Sequence, residues 1–133
     1  MKKLSMLVLV LGFVLAYSAC RAQDMGQKAK TATLTGTLVD LACYLDDGDS
    51  GNDHMGMKAC GTECLKGGSP AGLLVDKTLY VLVFPSGAFA DYVGKKVEIS
   101  GDQYGTNLIP KKASQVNSDG SKKTINIKGK AMM

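Results

Sequence analysis

Between Cys43 and Cys64 the chain reads CYLDDGDSGNDHMGMKACGTEC. The stretch holds three of the four cysteines and the only histidine, with two methionines and four aspartates. The spacing is C-x10-H-x5-C-x3-C. Three thiolates and one imidazole make a tetrahedral Cys3His set, which suits zinc. Cys43, His54, Cys60 and Cys64 are therefore the candidate metal ligands. Cys60 and Cys64 are four apart, so on a helix they share one face. His54 has Met55 and Met57 beside it, and soft thiolate and thioether donors favour copper(I), which is the alternative metal. The ordinary role of such methionines is to fill gaps in a core.

Two other chemistries use the same residues. An exported cysteine is often bridged, so Cys43 with Cys60 or Cys64 can form a disulfide staple that leaves one free thiol. Cys60 and Cys64 exchanging for Cys43 would instead make a thiol-redox protein. A bridge between Cys60 and Cys64 alone fits poorly, because helix neighbours point along one face. Asp40, three residues before Cys43, is a candidate to support the ligands or hold the histidine ring. It equally suits a cap or turn at a strand end.

Asp46, Asp47, Asp49 and Asp53 do not follow the order of a calcium-binding EF-hand loop and read as solvated. The chain has no G-x-S-x-G, P-loop, H-E-x-x-H or C-x-x-C motif. A sole histidine in a Gly/Asp-rich segment is a poorly held base, so an enzyme is not the expected class.

The start of the chain points to export. Met-Lys-Lys and an apolar run from Leu4 to Ala16 make a signal peptide over residues 1–19. The run falls short of the roughly 20 apolar residues a membrane span needs. Tyr17-Ser18-Ala19-Cys20 resembles a bacterial lipoprotein box, which implies a lipid on Cys20 and a membrane anchor on the periplasmic side. The family pattern usually has leucine where Tyr17 stands. Cleavage after Ala22, giving a soluble periplasmic or secreted protein, is the alternative. Residues 20–30 then form a polar tether and residues 31–133 a single β-rich domain.

Removing residues 1–19 takes away two lysines and lowers the formal charge from +4 to +2. With one arginine in the chain and no basic stripe, nucleic acid is not an expected partner. Charge is uneven: five aspartates and no Lys or Arg lie between Asp40 and Met57, and six lysines with one acid follow Ile109.

The elements that must position the site are mostly strands. Thr31 to Leu41 alternates threonine with apolar residues, and Gly36 marks a bend or bulge. Leu45 to Gly56 reads as a loop, and Met57 to Lys66 as a short helix stopped by Gly67-Gly68. Gly72–Val75 and Thr78–Phe84 form a hairpin about Asp76-Lys77. Pro85 ends it, and Ala88 to Val93 makes a helical turn. Lys96 to Gly101 puts Val97 and Ile99 on one face. Asn107–Ile109 and Ser114–Val116 read as separate strand pieces, and Lys123–Ile127 as the last strand. The expected fold is mainly β, a small OB-like β-barrel or sandwich with one or two short helices.

The run Tyr92 to Gly101 (YVGKKVEISG) resembles the segment of OB-fold barrels in which a short helix ends in glycine and feeds a strand. A second resemblance spans most of the mature chain. Gly36-x3-Asp40-x2-Cys43-Tyr44, then His54, Cys60 and Cys64, then Gly68-x-Pro70-x-Gly72-Leu73-Leu74, is similar to a group of small exported bacterial proteins of unsettled function. That resemblance implies that these residues act as a unit.

Overall fold

The computed structural model describes residues 28–127. The signal peptide over 1–19 and Cys20 lie outside them, as does most of the 20–30 tether. Strand β1 (Lys30–Asp40) opens the domain, and its alternating half ends in three consecutive buried residues, Leu38, Val39 and Asp40. Two short helices follow, α1 (Leu41–Asp47) and α2 (Cys60–Lys66). The remaining strands are β2 (Ala71–Val75), β3 (Thr78–Leu82), β4 (Lys96–Tyr104), β5 (Asn107–Val116) and β6 (Lys122–Ile125).

β1 is shared by two partners. Its Lys30–Thr37 part runs antiparallel to β4, and its Thr37–Asp40 part runs antiparallel to β2. β2 pairs with β3, β4 with β5, and β3 closes the circle with a short parallel pairing of Val81 and Leu82 to Asn107 and Leu108. The ring β1-β2-β3-β5-β4 is a small closed barrel of the OB-like kind, not a sandwich, and closure removes exposed strand edges. β6 adds to the far end of β5.

Two glycines make the closure possible. Gly36 sits where β1 passes from one partner to the other, and a Cβ there would collide with the carbonyl of Leu74. Gly101 lies at a register shift between β4 and β5, opposite Pro110, where a Cβ would collide with the carbonyl of Ile109. That irregularity explains why β5 is one strand and not the two pieces expected. A proline, which has no N–H to give, is tolerated beside a bulge.

The core is apolar and belongs to the barrel. Leu38, Leu73, Val97, Ile99 and Leu108 are fully buried. Phe89 joins them from the segment between β3 and β4. Two 3-10 turns, Ser86–Ala88 and Ala90–Tyr92, replace the single helical turn expected there. They seat the Phe89 ring edge-on against Phe84, with centroids 5.9 Å apart.

The connection from β1 to β2, residues 41–70, is a long excursion. Of its residues only Gly61 and Leu65 are buried. Leu45 to Asp47 are not loop, as expected, but finish α1. Asp40 nucleates that helix as its N-cap, accepting from the Ala42 amide at 3.0 Å, and Gly48 ends it in a left-handed conformation. α2 starts at Cys60 and not at Met57, because residues 54–57 are used in a tight hairpin. α2 is moored to the 3-10 segment by Thr62 Oγ1 donating to the Ala90 carbonyl (2.9 Å) and Ser86 Oγ donating to that of Leu65 (2.9 Å).

Candidate metal centre

The excursion folds its two helices so that their cysteines face one another. Cys43 comes from the first turn of α1, and Cys60 and Cys64 from successive turns of α2. The Cys60 and Cys64 sulfurs are 3.9 Å apart. A tetrahedral ion with Zn–S bonds near 2.3 Å holds its sulfurs roughly 3.8 Å from one another. The spacing matches metal ligation and is far too long for a disulfide, whose S–S bond is about 2.05 Å. Cys43, Cys60 and Cys64 are free thiols, so the staple considered as an alternative is not formed.

The remaining donors sit on the edges of this sulfur triangle. A His54 ring nitrogen, the Cys43 sulfur and the Cys60 sulfur all lie within 4.8 Å of one another. An Asp40 carboxylate oxygen and the sulfurs of Cys43 and Cys64 do the same. His54 therefore covers the Cys43–Cys60 edge, and Asp40 covers the Cys43–Cys64 edge. Each of the two groups is within metal-holding distance, and they share Cys43; His54 is grouped with Cys43 and Cys60 but not with Cys64.

The histidine is oriented by a residue that the sequence reading left in solvent. His54 Nε2 lies 2.7 Å from Asp47 Oδ2, at the end of α1, and the histidine side chain is only 10% exposed. With Nε2 engaged, Nδ1 is the nitrogen available to the sulfurs. A carboxylate on the outer nitrogen fixes ring orientation and raises ligand basicity. Asp40 does not hold the ring; it braces the thiols. It is 2% exposed and accepts from Cys43 Sγ (3.2 Å), Ser69 Oγ (2.5 Å) and the Ala42 amide (3.0 Å).

Residues 48–59 are not a slack loop. Asn52 stands in for the side-chain cap that Ala59 cannot supply to α2: its Oδ1 accepts from the Thr62 amide (2.8 Å), and its carbonyl accepts from Gly61 (3.0 Å). Asp53 accepts from the Ala59 amide (2.7 Å), and Asp49 from that of Gly51 (2.7 Å). The legible cue for this was the density of Asp, Asn and Gly, which are the residues that bond to nearby backbone. Met55 and Met57 are 79% and 54% exposed, so neither fills a gap in the core.

The electrostatics favour a cation. Burial pushes the Cys43 thiol up to about 12, reinforced by its bond to Asp40 and by the other two thiols. Burial likewise raises Cys64, with Asp40 and Cys60 adding to it. Burial opposes ionisation of Asp40, but hydrogen bonds from Ser69, Cys43, Ala42 and Cys64 outweigh it and hold the carboxyl below its usual range. The site thus carries a buried carboxylate beside the raised thiols of Cys43 and Cys64, which is a poor environment for a nucleophilic thiolate at either. A divalent or monovalent cation would supply the missing positive charge.

Comparison with known proteins finds no match: no family model, no curated protein and no solved structure.

Proposed function

We propose that this chain is an exported protein that binds a transition metal, zinc first and copper second, through Cys43, Cys60, Cys64 and His54. The observation that carries the reading is the sulfur triangle, with its 3.9 Å edge and a histidine nitrogen on one side. Asp47 orients the histidine and Asp40 braces the sulfurs. A bound metal ties α1, the 54–57 hairpin and α2 together and so folds an excursion that has almost no core of its own. This is a structural or metal-handling role and not catalysis, because the ligand set leaves no separate base. The raised thiols count against the thiol-redox alternative, which needs a readily formed thiolate. Export and a lipid on Cys20 rest on the charged and apolar start of the chain and its Y-S-A-C box.

The test is native mass spectrometry of residues 21–133 produced in a periplasm and purified without chelator. One bound zinc or copper, with the three cysteines unmodified after denaturation, is the expected result. A metal-free mass lighter by two hydrogens refutes the reading and restores the disulfide staple.

A further inference from the structure

Residues 54–57 form the smallest hairpin in the molecule. His54 N–H donates to the Met57 carbonyl (3.0 Å), and Met57 N–H donates back to that of His54 (2.8 Å). Met55 and Gly56 make the turn with φ of 50° and 78°, a type I′ pattern. Residues that exchange both bonds stand opposite one another, about 5.5 Å apart at Cα, with side chains on the same face. Met57 therefore projects from the hairpin face that carries the His54 imidazole, whereas Met55 occupies the turn itself. His54 is largely covered and Met57 is half in solvent. An exposed methionine gains nothing from packing. Its polarizable thioether, carried on three rotatable bonds, can swing over the histidine.

We infer that Met57 is a thioether ligand on the solvent side of the metal centre, and that it is what lets the centre take soft monovalent cations such as copper(I), the second of the two metals proposed above. The inference rests on the metal reading above and deepens it by naming the ion class. Zinc is satisfied by the thiolates and the imidazole. A soft d10 cation gains from an added thioether in a way zinc does not. Met57 is half in solvent, whereas the three thiols are only partly exposed. No electron transfer is involved: copper arrives as Cu(I), and thiol protons leave to solvent as it binds.

The test uses the chain with its cysteines reduced, labelled with 13C at the methionine methyls and titrated with Ag(I). The Met57 methyl resonance is expected to shift in step with binding while that of Met55 holds its position. In parallel, Met57→Leu is expected to weaken Cu(I) binding about tenfold against a chromophoric chelator and to leave zinc affinity unchanged. Met55→Leu is expected to change neither. A wild-type protein that binds Ag(I) with an unmoved Met57 methyl, or a Met57→Leu variant with Cu(I) affinity within twofold of wild type, overturns the inference and leaves the metal centre standing. A wild-type protein that binds neither zinc nor a soft cation overturns both.

Discussion

The barrel and the excursion between β1 and β2 are held by opposite physics. The barrel buries Leu38, Leu73, Phe89, Val97, Ile99 and Leu108 completely and closes its hydrogen-bonded ring. The excursion, residues 41–70, buries one large side chain, Leu65. Its order comes from single polar bonds: Asp40 capping α1, Asn52 capping α2, Asp53 on Ala59 and Asp47 on His54. A segment with so little buried apolar surface gains little from the hydrophobic effect to set against its ordering entropy. Placing three thiols and an imidazole there puts the proposed metal where added binding energy would change the structure most. The lesson is a division of labour in which a self-sufficient scaffold presents an insert that, in the function proposed above, a cation completes.

The sharpest way to separate the two regions is to damage each alone. Phe89→Ala removes the ring that fills the barrel under its 3-10 turns and is expected to cost about 3–5 kcal/mol in denaturant unfolding. It should lower the stability of both regions together, since the excursion is moored on that segment through Thr62 and Ser86. Chelation of the metal-loaded protein should do the reverse. Amides of residues 41–70 are expected to exchange hydrogen quickly while those of β1 to β5 stay protected. Equal loss of protection in both regions would break the comparison.

A smaller effect concerns pH. In the metal-free protein Cys43 keeps its proton up to about pH 12, and Cys64 is raised as well. At least these two protons must leave on binding, so metal affinity rises with pH and falls in acid. Two protons correspond to a change of at least about a hundredfold in apparent affinity per pH unit. Calorimetry in buffers of different ionisation enthalpy between pH 6 and 8 measures this directly; a count below one would remove Cys43 and Cys64 from the ligand set.

Two weaker tests refine the polar scaffold. Asp47→Asn keeps the shape but loses the charge that orients His54. It is expected to lower zinc affinity about tenfold with no change in barrel stability. Met55 holds a left-handed conformation that asparagine adopts more cheaply. Met55→Asn is therefore expected to stabilise the hairpin by about 0.5 kcal/mol, read as slower exchange of the His54 and Met57 amides.

Much of the barrel could be read from local pattern. The alternation in Lys96–Gly101 put Val97 and Ile99 on one face, which is the buried one, and Asp76-Lys77 correctly marked the β2–β3 turn. Other features resisted because local and tertiary signals conflict. Pro110 broke the pattern of β5, and only the bulge at Gly101 opposite it makes a continuous strand possible. From the sequence Asp40 suits either a cap or turn at a strand end or a support for the ligands. It is the end of β1, the cap of α1 and the acceptor for Cys43 at once. Asp47 gave no signal, because its role depends on α1 turning back toward a histidine seven residues on.

By itself the sequence determined the types and spacing of the donors, the i to i+4 step that puts Cys60 and Cys64 on one face, and the alternating strands that close a small barrel. Those are consequences of helix and strand periodicity, which act over a few residues. Only the tertiary structure decided that Cys43 meets that face, that Asp47 and not Asp40 holds His54, and that Met57 shares its side of the hairpin. The first two depend on how α1, the hairpin and α2 are docked by Asn52, Asp53 and Ser69, and the third on the bonds that close the 54–57 hairpin. The docking bonds span from six to 29 residues of chain, and no local periodicity encodes them.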